Sequence, residues 1–197
     1  EQNEKLAAAG AESRTVTIGE AFDKVGRVMG LPYPGGAEVD RLASIGDPDA
    51  IKFPSAAVVG DNLDFSFSGL KTAVINHIHN CEQKGTDYSR EDIAASFTKT
   101  VVASVLKKLG MAFDQTGCRQ FVLAGGVAAN SFLRAALSGM AKRTHTRLFL
   151  PPLKLCGDNA AMIGAQAYYE YLAGNLGHTL QNAYPTADIG RNICDPA

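Results

Sequence analysis

The run 120-QFVLAGGVAANSFLR-134 constrains this chain more than any other segment. A short apolar strand is predicted over 120–124, two glycines follow it, and an asparagine then opens a stretch with helical spacing. Without a Cβ, Gly125 and Gly126 admit positive φ and let backbone approach a ligand closely. Asn130 stands where a helix N-cap belongs. The same order returns downstream, with a strand predicted over 147–150 and a helix over 158–174. Strands alternating with helices predict parallel βαβ units. Ligands in such sheets sit outside the carboxyl ends of the strands. Two segments fall there, 125-GGVAAN-130 and 151-PPLKLCGDNAA-161. Each carries two readings. Asn130 is a cap of a tight turn, or an amide that meets phosphate or ribose at a helix N-terminus. Asp158 is likewise a cap, or a carboxylate aimed at a metal or a polar ligand group.

Upstream, residues 1–17 form a polar, Ala-rich lead-in. Residues 19–30 place Phe22, Val25 and Met29 at helical spacing, with Glu20 and Lys24 paired on the other face and Gly30 as the stop. A Pro/Gly turn then feeds a second helix within 31–43. Asp23 has the bland reading of a surface charge. With Gly36 and Asp40 it has another: two carboxylates and a glycine turn are suited to accept hydrogen bonds from a ribose diol. Residues 56–69 predict two short strands around a Gly-Asp-Asn turn, Phe65 and Phe67 alternating with Ser66 and Ser68. A helix is predicted from Gly69 to about Cys81. A polar loop with capping residues Ser89 and Asp92 leads into a long helix over about 90–115. That helix carries Ile93, Phe97, Val101, Val105, Leu109 and Phe113 on one stripe. A further helix is predicted over 130–142.

Composition narrows the classes. The chain has 197 residues, enough for one domain or one lobe of a larger protein. Apolar residues make up 46% and charged ones 20%, as in ordinary soluble proteins. A net charge of −1 gives no global basic field, so nucleic-acid contact would need a local patch. Lys107-Lys108 and Lys142-Arg143 are candidate phosphate contacts of that kind, though such pairs are commonly solvated surface. Cys81, Cys118, Cys156 and Cys194 form no CxxC pair and read as free thiols, not zinc ligands. No apolar run approaches the ~18 residues of a membrane helix, and the N-terminal stretch has no signal-type apolar region. His77 and His79 would face different sides of a helix. HExxH and GxSxG are absent, and 64-DFSFSGLKTA-73 lacks P-loop spacing although Ser66, Ser68 and Lys71 could meet phosphate.

Five segments occur in a specific order: GEAFDKVGRVMGLPYPGG, DFSFSGLKTA, DIAASF, LAGGVAANSFLR and CGDNAAMIGA. Together they resemble the C-terminal half of the tRNA N6-adenosine threonylcarbamoyltransferases (TsaD-type), once grouped as glycoproteases or O-sialoglycoprotein endopeptidases. The resemblance runs over about residues 18–175, leaving 1–17 as an unmatched lead-in and 176–197 as a tail. It implies an α/β, actin-like and sugar-kinase-like (ASKHA) fold, mainly its second lobe, with the N-terminal lobe missing and the chain a fragment. It implies transfer of threonylcarbamoyl from threonylcarbamoyl-AMP to N6 of the adenine 3′ of the anticodon, in tRNAs reading codons that begin with A. By resemblance, Asp23, Gly36, Asp40 and Asn130 bind substrate, and Asp158 holds a divalent metal ion, iron or zinc. The other metal ligands, two histidines of an HxxxH motif, belong to the half that is not here. The implied partners are tRNA, a bacterial-type paralogous subunit and a P-loop ATPase subunit, in the cytoplasm and without a membrane. The competing expectations are a catalytically inactive lobe that binds nucleotide or partner proteins only, an ATPase using the same cleft, and a metallo-endopeptidase.

Overall fold

The computed structural model describes residues 18–177. Of the described residues, those up to Gly157 fall in one compact unit and those from Asp158 onward in another, and each is described by itself. The lead-in 1–17, Cys194 and most of the predicted tail lie outside the described residues.

The first unit is mostly helical. Helices α1 (Ile18–Val28), α2 (Gly35–Ala43), α3 (Phe67–Lys84) and α4 (Arg90–Thr116) build its core. Apolar residues at i, i+3 and i+4 give each helix one buried face. Phe22 and Val25 of α1, Val39 and Leu42 of α2, Leu70 and Val74 of α3, and Ile93, Phe97 and Val101 of α4 meet in one cluster. At its centre Phe22 and Phe97 pack edge to face, with centroids 5.1 Å apart. Burying each such side chain stabilises the fold by about 1.5–3 kcal/mol. Helices α1 and α2 touch at Gly26 and Gly35, where a Cβ added to Gly26 would lie 3.1 Å from the Gly35 Cα. That close approach sets the geometry of the site described below.

The predicted apolar stripe of α4 is present at Ile93, Phe97, Val101 and Phe113, all buried. A second, polar stripe accompanies it. Asp92, Ser96, Thr100, Ser104 and Lys108 recur every four residues and so share one face. All but Thr100, whose hydroxyl donates to the Ser96 carbonyl within the helix, bond the backbone of the segment 47–62, which runs along the helix with little secondary structure of its own. Asp92 accepts from the Asp47 amide (2.8 Å). Ser96 Oγ accepts from the Ile51 amide and donates to the Asp47 carbonyl. Ser104 Oγ accepts from the Ala56 amide (3.0 Å). Lys108 Nζ donates to the carbonyls of Val58 (2.7 Å) and Asn62 (2.5 Å). Buried backbone groups need partners, and here side chains of α4 supply them.

This arrangement corrects the prediction of two strands within 56–69. The structure has a single antiparallel bridge, Ala57 with Phe65. Two reasons are visible. The Val58 and Asn62 carbonyls are taken by Lys108, not by a ladder. Phe67, read as a strand residue, instead starts α3 with its ring buried and stacked on Phe65. Helix α3 therefore begins two residues before Gly69 and runs three past Cys81.

Strand β1 (Gln120–Val122) leads through a 3-10 turn (Gly126–Ala129) into α5 (Ser131–Thr144) and then β2 (Arg147–Phe149). The strands pair in parallel, Phe121 opposite Leu148. The βαβ expectation is met in this one unit. Among the described residues the sheet has these two strands. In the second unit, helix α6 spans Ala160–Leu172, two residues shorter at each end than predicted. No helix of the described residues is long and apolar enough to cross a membrane.

Candidate functional site

Asp23, Gly36, Asp40 and Asn130 lie far apart in sequence, and the fold links them into one chain of contacts. Asp23 sits on α1, facing the start of α2. Helix α2 begins after Pro34, which offers no side-chain cap. Asp23 fills that role from across the interface: its Oδ1 accepts from the amides of Gly35 (2.9 Å) and Gly36 (3.3 Å). A carboxylate at a helix N-terminus also meets the positive end of the helix dipole. The bare approach of Gly26 to Gly35 brings the two helices near enough for this contact. Gly36 itself faces open space, since a Cβ there would meet nothing within 4 Å.

One turn on, Asp40 leaves α2 toward α5. Its Oδ1 accepts from Asn130 Nδ2 (2.7 Å), from the Ser131 amide (3.1 Å) and from Ser131 Oγ (3.1 Å). Asn130 caps α5, its Oδ1 accepting from the Leu133 amide at 2.8 Å. These two contacts decide the orientation of the Asn130 amide, because only Nδ2 can donate to the carboxylate. The cap reading and the site reading of Asn130 are thus compatible, since one side chain does the capping while held by Asp40. Asp40→Ala is expected to lower stability by about 1–2 kcal/mol, from three lost hydrogen bonds at a half-buried helix start. Urea unfolding of the variant measures this; an unchanged midpoint would show that the contacts contribute nothing.

Of the two glycines in the turn after β1, Gly125 takes the expected positive φ, whereas Gly126 starts the 3-10 turn. Gly125 adopts φ 80° and ψ −179°, a region open only to glycine. It redirects the chain from β1 into the 3-10 turn, whose Ala128 is buried and whose end presents Asn130. Beside Asp23, an open depression of about 820 Å³ is lined by Gly19, Glu20, Lys24, Arg27 and Tyr33. Glu20 and Lys24 form the predicted ion pair on its rim. On α2, Glu38 pairs with Arg41. The hydrogen bond from the guanidinium holds the Glu38 carboxyl below the usual carboxylate range. That pair is exposed and contributes little to stability.

Other candidates fare differently. Lys108 is 2% exposed and committed to the 58–62 backbone, so it is not a phosphate contact. Lys142 and Arg143 are exposed in the last turn of α5, where cations complement the helix dipole. Lys71 is half-buried on α3, and Ser66 opens that helix without a side-chain capping bond. Asp158 belongs to the second unit, where it is exposed. It does not cap α6; Asn159 does, accepting from the Met162 amide at 3.1 Å. Among the described residues no three His, Cys, Asp or Glu side chains come together as a metal site would require. The described residues of this chain therefore do not build the implied metal centre.

Two participants escaped the sequence reading. Ser131 supplies two of the donors to Asp40. Arg134, one turn into α5, reaches the carbonyls of Ala128 and Pro151. The only local signal for either was its place just after the Asn130 cap.

Comparison with known proteins identifies the family of the chain. The sequence pattern of one family, TsaD: tRNA N6-adenosine threonylcarbamoyltransferase, matches residues 2–165. The match starts at residue 2, whereas the motif reading started at 18. The chain is 49% identical over 173 residues to the tRNA N6-adenosine threonylcarbamoyltransferase of Moorella thermoacetica, covering 88% of this chain and 51% of that protein. It is 47% identical over 179 residues to the Bacillus cereus protein of the same name, covering 90% and 52%. For the Limosilactobacillus fermentum protein of that name the figures are 49% over 176 residues, 88% and 51%. The chain spans about half the length of the curated relatives it matches. With most of its length inside that pattern and nearly half its residues shared with these relatives, the chain belongs to the tRNA N6-adenosine threonylcarbamoyltransferase family.

Proposed function

We propose that this chain forms the nucleotide-holding part of a transferase that moves threonylcarbamoyl from threonylcarbamoyl-AMP to N6 of the adenine 3′ of the anticodon in tRNA. The observation that carries the proposal is the continuous link Asp23–Gly36–Asp40–Asn130, formed by the residues that the family resemblance assigns to substrate. It supports an ASKHA-type second lobe, with the nucleotide resting on the start of α2 and on the turn after β1. Gly36 offers unobstructed backbone there, and Asp23, beside it, offers carboxylate oxygen to a ribose diol.

In the reaction, a bond forms from N6 to the carbamoyl carbon as the carbamoyl–phosphate C–O bond breaks. AMP leaves with the electron pair, and N6 gives up one of its two protons to solvent. Because AMP is a good leaving group, holding the two reactants in line supplies much of the rate. The chain's own residues position the adenylate, and amides at the Gly-Gly turn can meet developing negative charge. By the same family reading Asp158 would be one carboxylate of a metal site, where a bound ion would polarise the carbamoyl carbonyl. tRNA, a paralogous subunit and a P-loop ATPase subunit are the partners this reading brings.

Gly36→Ala tests it. The added methyl meets no atom of the chain, so the fold should keep its stability. A nucleotide lying against Gly36 would be pushed away. The assay places residues 2–165, wild type or Gly36→Ala, in the matching segment of the Moorella relative and measures threonylcarbamoyladenosine in tRNA. The wild-type chimera is expected to be active and Gly36→Ala to lose about tenfold or more, as for displacement of a bound reactant by an ångström. A folded wild-type chimera without product would overturn the proposal.

A further inference from the structure

The loops after β1 and β2 are the two places where the fold can present a ligand, and one side chain joins them. The last main-chain bond between the strands runs from the Leu123 amide to the Phe149 carbonyl (3.1 Å). Beyond it, Arg134 bridges the two loops. Its Nη1 donates to the carbonyl of Ala128 at 2.7 Å, inside the Gly126–Ala129 turn. Its Nη2 donates to the carbonyl of Pro151 at 3.1 Å, at the head of the second loop. The same Nη1 lies 3.9 Å from Cys156 Sγ, near the end of that loop. Cys156 is buried and its thiol in turn points to the Pro152 carbonyl. Guanidinium is a rigid planar fork, so two carbonyls on its two nitrogens are held at one separation. A lysine ammonium is a single point and imposes no such spacing.

We propose that Arg134 is a positioning residue of the site: it locks the turn that presents Asn130 to the 151–157 loop at a single spacing. It rests on the nucleotide reading above and acts through the two loops without touching the ligand. Asp40 fixes the Asn130 side chain from one side. Arg134 fixes the backbone carrying it from the other.

The test uses the full 197-residue chain as wild type, Arg134→Lys and Arg134→Met, with two readouts. Amide hydrogen exchange follows residues 126–130 and 153–157 against the α1–α4 core, and calorimetric titration with AMP measures affinity. In Arg134→Met, exchange is expected to rise about tenfold in both loops together while the core stays protected. AMP affinity is expected to fall about tenfold or more, and Arg134→Lys should fail to restore it. Loosening of one loop only, or of neither, would overturn the coupling. Unchanged AMP affinity in a folded Arg134→Met would overturn the positioning role and leave a purely structural one. A wild-type chain that binds no AMP would overturn the nucleotide reading itself and the positioning role with it. The exchange data would then still decide whether the loops are coupled.

Discussion

Lys108→Met is expected to lower the unfolding free energy by about 3 kcal/mol, read as a shift of the urea midpoint with an unchanged slope. The side chain is 2% exposed, and its Nζ donates to the Val58 carbonyl, the Asn62 carbonyl and Asn62 Oδ1. Methionine matches its length and removes the desolvation penalty of the ammonium. Replacing a buried polar pair by apolar groups can be neutral when both partners go. Here two of the three acceptors are backbone and stay behind, facing a methyl group. Each of these part-buried carbonyls left without its donor costs about 1–3 kcal/mol, which outweighs the relief from desolvation. The loss should be local first, with exchange at 58–64 rising before the core opens. A midpoint equal to wild type would mean that water reaches these carbonyls and the contacts are not what holds the segment down.

Gly46→Ala should be at least as damaging. A Cβ at Gly46 would land on the Glu91 carbonyl carbon and oxygen, well inside contact distance. Both neighbours are backbone of the first turn of α4, so no rotamer change relieves the overlap. The segment must lift off the helix, which strains the Asp47 amide bond to Asp92 and the two Ser96 bonds beyond it. Overpacking of this kind costs about 1–3 kcal/mol, and the loss of docking bonds adds to it, so about 3 kcal/mol or more is expected. Gly36→Ala is the internal control. With no neighbour within 4 Å and a helical position, it should be neutral or stabilising by up to about 1 kcal/mol. Equal stability of the two alanine variants would refute the close approach of Gly46 to α4.

Both predictions come from contacts that sequence reading did not reach, whereas other features were legible. Helix α4 was read to within a residue of Arg90–Thr116 because its signals are local: a Ser89 side chain accepting from the Asp92 amide and apolar residues every four positions. Helix α1 and the strand–turn–helix at 120–144 were legible for the same reason. Within 56–69 the Phe/Ser alternation points to a strand, but Phe67 starts a helix packed into the core, a role that its tertiary packing decides. Lys108 was misread as surface because nothing near it in sequence shows that a loop about fifty residues earlier folds over it.

The candidate site divides along the same line. Asn130 was legible as a cap, and its bond to Leu133 spans three residues. Its orientation was not, because that depends on Asp40, ninety residues away. Asp23 was legible as a carboxylate near a glycine turn, but not as the surrogate cap of α2, a role that exists only once Gly26 and Gly35 let two helices touch. By itself, then, the sequence determined the helices, the Ser89 and Asn130 caps, the glycine turn after β1 and, through its ordered motifs, the family. All of these rest on interactions within a few residues or on residue order. Only the tertiary structure decided which polar groups meet: Asp40 with Asn130, Lys108 with Val58 and Asn62, Arg134 with Ala128 and Pro151. Apart from the Arg134–Ala128 contact, these partners lie from 17 to 90 residues apart, and buried polar groups take whatever acceptor the packing of apolar faces brings within reach.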